Sequence, residues 1–348
     1  MDSAPERVAD ATRLLGIVTG SWKTQAAYVA ARLGIADLLA ESPGSAGELA
    51  AATATHTPSL HRLLRALATI ELVREREDGS FELTSMGTLL RDGTPDSLRD
   101  WVLHWGGTSW PVWGHLLHSV TTGESARALV SGTAGFEHLT ADPEAADTFH
   151  RAMVELTRLV VRDFVQAVDW TGTRKIVDVG GGYGELLIAA LIACPGSVGV
   201  LFDEAHAVER GRLHLRAAGV EHRCQFLSGD FFEWVPRGAD TYVLKSILHD
   251  WSDERAAEIL ASCRRAIAPE GRLLVVERIV PEHLGSSADD QGLACTDLHM
   301  LVQHAARERT ESELRGLLTA AGFRTASMRP LRSTLAVLEA VPVDDDAA

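Results

Sequence analysis

The chain is poor in features that mark whole classes of proteins. Its four cysteines, Cys194, Cys224, Cys263 and Cys295, are scattered singly through 348 residues, with no C-x-x-C pair. Such spacing predicts neither a zinc site nor a disulfide framework. No apolar run reaches the roughly 18 residues that a membrane span needs, and the acidic, polar first residues are unlike a secretory signal. We therefore expect a cytoplasmic protein without a membrane partner.

Positive charge is scarce as well. The formal net charge is −15, and so acidic a surface repels the phosphate backbone of nucleic acids, which are not expected as partners. A hydrophobic content of 46% with 23% charged residues is ordinary for a globular protein. A length of 348 residues exceeds the usual size of one domain and predicts two.

The first part of the chain has the pattern of helices followed by a hairpin. Apolar residues recur at helical spacing, and short helices are predicted over 46–52 and 60–67. Two strand-like segments, 72–75 and 81–84, flank a turn that contains Gly79. Together these elements predict a winged helix.

Tryptophans concentrate in a second helical region, residues 101–168. Half of the eight in the chain are Trp101, Trp105, Trp110 and Trp113. They either pack between helices or form an aromatic wall for a flat ligand. The sequence leaves both interpretations open.

Beyond Thr173 the pattern changes to that of an α/β protein. Short β-rich runs alternate with helices, which predicts a mostly parallel sheet with helices on both faces. The predicted strands are 175–179, 198–202, 224–227, 241–244 and 272–276, with a last one at 335–338. A capping box from Thr310 to Glu313 opens the final helix, and Gly322 follows its end. The acidic tail, 343–348, is predicted to be disordered.

A glycine-rich segment, Gly180 to Gly184, directly follows the first of these strands. Glycines there let a ligand approach the backbone and the amide groups of the next helix. A dinucleotide fingerprint needs G-x-G-x-x-G, but Glu185 replaces its third glycine, and a carboxylate would repel a pyrophosphate. S-adenosylmethionine, which has a positive charge and no phosphate, is therefore predicted in place of NAD.

Later strand ends offer groups for the rest of a nucleoside. Asp203 comes 23 residues after Gly180, where a carboxylate can accept both ribose hydroxyls of either cofactor. Gly229, Asp230 and Phe231 follow the third strand. The aspartate could accept from the adenine amine and the phenylalanine could stack on the ring, but the tripeptide alone also fits a surface turn.

His249 follows the fourth strand at the same edge of the sheet. A solitary histidine is more often structural than catalytic, but Glu277 ends the fifth strand and Glu308 precedes the capped helix. A carboxylate on one imidazole nitrogen raises the basicity of the other, as a general base requires. These three residues form the predicted catalytic group.

Four motifs resemble those of one known family. They are Asp178-Val179-Gly180-Gly181-Gly182-Tyr183-Gly184, Gly229-Asp230-Phe231-Phe232, Leu244-Lys245 and His249-Asp250-Trp251-Ser252-Asp253. Nearly the whole chain resembles the plant-type small-molecule O-methyltransferases, such as caffeic acid O-methyltransferases, and their bacterial relatives in aromatic antibiotic pathways. The resemblance implies methyl transfer from S-adenosylmethionine to a hydroxyl of a phenolic or polyketide-like secondary metabolite.

The resemblance also implies an architecture. A mostly helical dimerisation domain with a winged-helix element, residues 1–100, would precede a helical linker and acceptor-pocket region, residues 101–170. Residues 171–348 would form a Rossmann-like class I methyltransferase domain, a doubly wound, mostly parallel sheet with an antiparallel last strand. A homodimer is expected.

Individual residues match the family's functional positions. His249 would be the base, framed by Glu277 and Glu308. The implied cofactor contacts are Gly180, Gly182, Asp203, Gly229, Asp230, Phe231, Lys245 and Thr157, and the implied acceptor contacts are Trp105, Phe149, Met153 and Asp250. Glu204-Ala205 replaces the family's usual Leu-Pro, which leaves the adenine-side contact open.

Two other functions remain as alternatives. A winged helix is typical of DNA-binding regulators, but its candidate recognition helix offers only Arg62 and Arg65 for phosphate contacts. A relative could instead bind S-adenosylmethionine and catalyse hydroxylation, a pericyclic reaction or metal-assisted C-methylation. In the metal-assisted case His249, His299 and His304 are the conceivable ligands.

Overall fold

The computed structural model describes residues 4–133, 135–332 and 334–343, with side chains from residue 7 onward. It divides into two compact units, Met1–Trp110 and Pro111–Ala348. The three-part functional division predicted from the sequence stays a prediction. Most of the acidic tail, residues 344–348, lies outside the described residues, so its predicted disorder is untested.

The first unit contains the predicted winged helix. Its elements are α1 (Ala4–Arg32), α2 (Ile35–Glu41), α3 (Ala46–Thr53), α4 (Thr57–Thr69), β1 (Val73–Glu75), β2 (Phe81–Leu83) and α5 (Arg99–His104). The two strands pair antiparallel, and Gly79 in their turn has φ 78°. Leu64, Leu67 and Phe81 are fully buried in its core, because the apolar face of α4 needs a surface to pack against.

Helix α5 continues into a π-helical turn, Trp105–Ser109. A glycine is required at Gly106 because a Cβ there would lie 2.3 Å from the Cβ of Tyr28. The rings of Trp101 and Trp105 pack edge to face with centroids 5.6 Å apart. These two tryptophans contact each other along one continuous helical segment, so the choice between packing between helices and an aromatic wall stays a prediction.

The second unit is an α/β sheet protein. After α6 (Trp110–Trp113), its helices are α7 (Leu116–Thr122), α8 (Arg127–Ser131), α9 (Glu137–Ala141), α10 (Pro143–Ala167), α11 (Glu185–Ala193), α12 (Ala205–Ala217), α13 (Asp253–Ala266), α14 (Ala288–His304) and α15 (Glu311–Ala320). Its strands are β3 (Lys175–Val179), β4 (Val198–Asp203), β5 (Cys224–Ser228), β6 (Thr241–Lys245), β7 (Arg272–Arg278), β8 (Phe323–Pro330) and β9 (Leu335–Pro342).

The strands form one seven-stranded sheet in the order β5-β4-β3-β6-β7-β9-β8. The first five strands in this order are parallel, and β9 is antiparallel to both of its neighbours. Chain order reverses at β3, whose neighbours are β4 and β6. Open sheets of this kind bind ligands at the carboxyl ends of the strands beside such a reversal.

Residues of β3 alternate between two apolar cores. Val177 and Val179 belong to the core on one face of the sheet, and Ile176 belongs to the core on the other. A sheet covered on both faces needs apolar side chains on both, which is why the predicted strands are short apolar runs. Among the described helices, none is long and apolar enough to cross a membrane.

One strand escaped the sequence analysis. The segment Phe323–Pro330 forms the edge strand β8, in which four residues are exposed and three are half-buried. Phe323 is its one fully buried side chain, and arginine, serine and proline dominate the rest. Edge strands tolerate such residues because one of their sides faces solvent, so their pattern resembles a loop.

Candidate active site

The glycine loop between β3 and α11 contains three left-handed residues, Gly180, Gly182 and Gly184. Gly180 has φ 67° and Gly182 has φ 55°, conformations that favour glycine. A Cβ on Gly180 would lie 2.5 Å from Cδ1 of Ile247. The amide of Gly182 donates to Oδ2 of Asp203 at 2.7 Å, so the loop is tied to the end of β4.

Asp203 accepts a second backbone hydrogen bond. Its Oδ1 lies 2.7 Å from the amide nitrogen of Glu204. Burial raises the pKa of Asp203, and the two amides from Gly182 and Glu204 oppose that rise. Each carboxylate oxygen keeps a lone pair, so Asp203 can still accept from the hydroxyl groups of a ligand.

Asp178, in the middle of β3, is a site residue that the sequence analysis quoted but did not assign. It is buried, and its Oδ2 has no hydrogen-bond partner among the described residues. Burial and Asp203 raise the pKa of Asp178 to about 7, against the opposing charge of Lys245. A buried carboxylate inside an otherwise apolar strand was the signal that could have identified it.

These acidic groups fit a cationic nucleoside cofactor. Asp178 and Asp203 come from neighbouring strands, and Asp178 offers an oxygen that an ammonium group can satisfy. Lys245 ends β6, and burial together with Arg278 lowers its pKa to about 8. The site therefore suits S-adenosylmethionine, with hydroxyl and ammonium donors, better than it suits a pyrophosphate.

The role given to Glu185 needs correction. Its carboxylate oxygens are held by Arg158 Nε at 3.1 Å and His214 Nε2 at 2.6 Å. The charge of Glu185 is therefore balanced inside the protein, and repulsion of a pyrophosphate by this residue is not supported. The preference for a cationic, phosphate-free cofactor rests on Asp178, whose Oδ2 has no hydrogen-bond partner among the described residues.

Gly229, Asp230 and Phe231 form a turn after β5, and this turn leaves the side chains of Asp230 and Phe231 available to a ligand. Asp230 is exposed, and its Oδ1 accepts from the amide of Phe232 at 2.8 Å. Phe231 is half-buried and packs edge-on against Trp251 with centroids 6.1 Å apart. A Cβ on Gly229 would lie 2.8 Å from the ring of Phe202, so this position requires glycine.

Thr157 and Met153 lie one turn apart on α10. Thr157 is buried, and its hydroxyl donates to the carbonyl oxygen of Met153 at 2.7 Å. The hydroxyl oxygen can still accept a hydrogen bond from a ligand. Met153 is half-buried.

His249 lies in a 3₁₀ turn, Leu248–Asp250, directly after β6. Its Nδ1 is 3.1 Å from Oε1 of Glu308 and 3.7 Å from Oε2 of Glu277. All three side chains are buried. The structure thus assembles the three residues predicted as the catalytic group from three separate segments of the chain.

Glu277 also holds the turn that carries His249. Its Oε1 accepts from the amides of Ile247 and Leu248 at 3.0 and 2.8 Å. Its Oε2 is buried with no hydrogen-bond partner among the described residues, and burial raises the pKa of Glu277. Glu277 therefore fixes the backbone on one side and faces the imidazole on the other.

The carboxylates make His249 strongly basic. Burial lowers its pKa, but Glu308, Asp250 and Glu277 outweigh burial and raise the pKa of His249 to about 10. Burial would also raise the pKa of Glu308, yet His249 holds it below its usual range. Asp250, which lies 3.6 Å from Nε2 of His249, has its pKa raised to about 7 by burial. Within this group the proton resides on the imidazole.

Arg309 supports the turn and was not predicted. Its side chain is fully buried, and it donates to the carbonyl oxygens of Leu248 at 2.6 Å and Trp251 at 2.7 Å, and to Asp253 at 2.9 Å. A buried guanidinium saturated by hydrogen bonds is a rigid support. Arg309 belongs to the motif Arg307-Glu308-Arg309-Thr310, but the sequence predicts a role only for Glu308.

Aromatic rings are linked to His249 through His304 and Asp250. Phe149 packs on Phe136 with centroids 5.7 Å apart, and Phe136 packs on His304 at 4.6 Å. His304 Nε2 is 3.7 Å from Oδ1 of Asp250. Phe136 had no distinguishing signal in the sequence, since an isolated phenylalanine is most often a core residue.

One predicted contact is untested, and one predicted group is not assembled. Trp105 belongs to the first unit, and its proposed contact with the acceptor stays a prediction. His249, His299 and His304 do not form a ligand group, because the three side chains whose ligand atoms lie within 4.8 Å of one another, among the described residues, are His249, Glu277 and Glu308. His299 accepts from Trp113 Nε1 at 2.9 Å.

The doubly wound sheet, the glycine loop and the acidic strand ends define a class I methyltransferase that uses S-adenosylmethionine. Residues 113–324 match the O-methyltransferase domain, and residues 15–92 match the O-methyltransferase dimerisation domain. The chain belongs to this O-methyltransferase family. The predictions of fold, enzyme class, cofactor and homodimer are therefore confirmed, and the winged helix belongs to the region that dimerises.

Characterised relatives are similar over nearly their whole length. The chain is 42% identical to the phenazine O-methyltransferase PhzM of Lysobacter antibioticus, covering 95% of this chain and 96% of the relative. It is also 42% identical to the 3-amino-4-hydroxybenzoate 4-O-methyltransferase of Streptomyces cremeus, covering 92% of this chain and 87% of that one. The crystal structure of LaPhzM superposes with a TM-score of 0.92 at 42% identity, covering 96% of this chain and 99% of that chain.

Proposed function

We propose that the protein methylates a phenolic hydroxyl of an aromatic secondary metabolite, with His249 as the general base. The observation that carries this proposal is the burial of His249 against Glu308, 3.1 Å from its Nδ1, at the sheet edge that also holds the glycine loop. The names of the two relatives, a phenazine and a hydroxybenzoate methyltransferase, support an aromatic acceptor. The rings of Phe136 and Phe149, which are linked to the base through His304 and Asp250, suit a flat ligand.

We assign the other predicted residues to binding. Asp203 would take the ribose, Asp178 the ammonium group, and Thr157 and Lys245 the methionine end of the cofactor. Gly180, Gly182 and Gly229 would leave room for it, while Asp230 and Phe231 would meet the adenine. Trp105, Phe149, Met153 and Asp250 would contact the acceptor.

S-adenosylmethionine, when bound, supplies an electrophilic methyl group on a sulfonium sulfur. The protein's own contribution starts with orientation, because fixing two reactants at near-attack distance is worth on the order of 7–11 kcal/mol. His249 takes the hydroxyl proton at Nε2 while Glu308 accepts from Nδ1–H and stabilises the imidazolium. Glu277 holds the turn that carries His249 and so keeps the imidazole in position.

His249 must be neutral before it can accept a proton. With its pKa raised to about 10, the imidazole is protonated at neutral pH when the site is empty. A sulfonium cation beside the site lowers the pKa of a neighbouring imidazole by charge repulsion. A bound cofactor would in this way help the imidazole to release its proton, and Asp250, whose Oδ1 lies 3.6 Å from Nε2 of His249, is within reach of that proton.

The proposal is tested by a screen of hydroxylated aromatic compounds with S-adenosylmethionine, read by mass spectrometry. We expect the mass gain of one methyl group on at least one compound and none on its O-methylated derivative. Methylation of anilines alone would assign the chemistry to nitrogen, and cofactor binding without transfer to any compound would overturn the proposal.

A His249→Ala variant tests the assignment of the base. We expect turnover to fall by about 10²–10⁴-fold, while calorimetry with S-adenosylmethionine shows an affinity close to that of the wild type. Asp203→Ala is the matched control and should weaken cofactor binding first. An equal loss of turnover and cofactor affinity in His249→Ala would contradict the division of roles.

We further propose that the protein works in the cytoplasm. All four cysteines are free thiols, which suits a reducing compartment. Fractionation of the native host, with enzyme activity recovered outside the cytoplasmic fraction, would overturn this location.

A further inference from the structure

A pair of histidines lies beside the glycine loop and has no role in the proposed mechanism. His150 belongs to α10 and His206 to α12, and their Nε2 atoms are 3.2 Å apart. His150 is buried, and its ring stacks on that of Tyr183 with centroids 4.8 Å apart. A Cβ on Gly182 would lie 3.4 Å from Nδ1 of His150. The imidazole thus turns one nitrogen to His206 and the other to the loop.

Glu204 fixes where the protons of this pair reside. Its Oε2 lies 3.3 Å from Nδ1 of His206, so a carboxylate acceptor faces that nitrogen and favours the tautomer with the proton on Nδ1 and the lone pair on Nε2. His150 must then donate from Nε2, since one proton is shared between two nitrogens in a hydrogen bond. Burial and His206 lower the pKa of His150 to about 4. The ring is therefore neutral at pH 7, with an acceptor lone pair on Nδ1 facing Gly182.

The acceptor nitrogen adjoins the ribose position. Gly182 donates to Asp203 at 2.7 Å, and His206 is close enough to Asp203 to oppose the effect of burial on the pKa of that carboxyl. Each oxygen of Asp203 already accepts one amide. A second acceptor beside it lets both ribose hydroxyls be bound with good geometry, one by each residue.

We propose that His150 is a further cofactor-binding residue, which accepts a hydrogen bond from one ribose hydroxyl of S-adenosylmethionine and is positioned by His206 and Glu204. The inference rests on the cofactor site described under the proposed function. It also explains the sequence departure after Asp203, because a leucine at position 204 could not orient His206. Glu204 acts through His206 and is a positioning residue.

Two substitutions separate ligand binding from simple packing. In His150→Asn the amide oxygen can take the place of Nδ1, and in His150→Gln the amide takes the place of Nε2. We expect calorimetry on the full chain to show S-adenosylhomocysteine bound about tenfold more weakly by the glutamine variant, and nearly as tightly by the asparagine variant as by the wild type. A purely structural role predicts the reverse order, because only glutamine keeps the contact with His206.

Controls make each outcome decisive. His222, which is exposed, receives the same two substitutions and should leave the affinity unchanged, and melting temperatures identify variants that fail to fold. S-adenosylhomocysteine analogues lacking the 2′ or the 3′ hydroxyl identify the group, because one of them should bind wild type and His150→Gln equally. Equal affinities of both His150 variants and the wild type, with Asp203→Ala weakened, would overturn this inference alone. An unweakened Asp203→Ala would instead overturn the proposed ribose site.

Discussion

In the proposed mechanism the imidazole of His249 carries the chemistry, and its surroundings shift its pKa in opposite directions. Burial lowers the pKa of His249, whereas Glu308, Asp250 and Glu277 raise it to about 10. The result favours the protonated ring in the empty enzyme and a strong base once the proton leaves. Since a general base works only when neutral, kcat/KM should rise with pH until His249 is fully deprotonated.

Glu308→Gln tests this balance. Removing one carboxylate lowers the pKa of His249, so the ascending limb of the kcat/KM profile should move to lower pH, while the maximal kcat falls because the conjugate acid loses its ion pair. The measurement is a pH–rate profile between pH 6 and pH 10 with a saturating cofactor. Glu282→Gln, at an exposed residue, serves as the control, and an unmoved limb in Glu308→Gln would contradict the account.

Stability should follow the same group. His249 has an ordinary pKa of about 6.5 in the unfolded chain and a pKa raised to about 10 in the folded protein. This difference stabilises the folded protein fully below about pH 6.5, and the stabilisation is lost as the pH rises through about 10. We expect the melting temperature of the wild type to fall more than that of His249→Gln between pH 7 and pH 10.5, as measured by calorimetry. Parallel curves for the two proteins would contradict a raised pKa.

At the scale of elements, the glycine loop is the most constrained segment of the site. Gly180 combines a positive φ with a neighbour, Ile247, only 2.5 Å from where a Cβ would sit. Ile247 directly precedes the turn that carries His249. A side chain at position 180 that displaces Ile247 would therefore displace that turn as well.

Gly180→Ala is therefore expected to weaken cofactor binding and slow turnover together. Forcing a non-glycine residue into the left-handed region costs on the order of 1–3 kcal/mol, and the shift of Ile247 adds to it. Gly292→Ala is the matched control, because a Cβ there meets nothing within 4 Å. Calorimetry for the cofactor and a turnover assay report both effects. A cofactor affinity and a turnover equal to those of the wild type in Gly180→Ala would contradict this account of the loop.

The elements that could be predicted from sequence were those with a strong local signal. Apolar runs predicted β3 to β7, and the capping box at Thr310 predicted the start of α15. The site residues predicted correctly as neighbours, His249, Glu277 and Glu308, each follow or precede such an element. Side chains that act through the fold, such as Arg309 and Phe136, could not be predicted, because their contacts join segments far apart in sequence. The contact between His150 and His206 likewise joins two separate helices.

At the scale of the whole molecule, the protein is a homodimer whose first unit exposes several large apolar side chains on one helix. Helix α1 exposes Leu14, Leu15, Ile17 and Trp22, and the ring of Trp22 is 71% exposed. Apolar patches of this kind mark interfaces between proteins. We assign this face of α1 to the contact between the two copies.

Ile17→Glu together with Trp22→Glu should convert the dimer to a monomer. Burying two carboxylates in an apolar interface costs more than the contact gains. Analytical ultracentrifugation measures the change, and Leu117→Glu, also at an exposed leucine, is the matched control on α7. An intact dimer in the double variant would place the interface elsewhere.

The position of β9 has a consequence for biosynthesis. This strand lies between β7 and β8 although it follows both in the chain, and it covers the edge of β7 along its register from Leu273 to Arg278. While residues 335–342 are still inside the ribosome, the nascent chain exposes that edge as a template for pairing with other chains. The pairing of β7, the strand that contains Glu277, is therefore completed only after β9 has been synthesised.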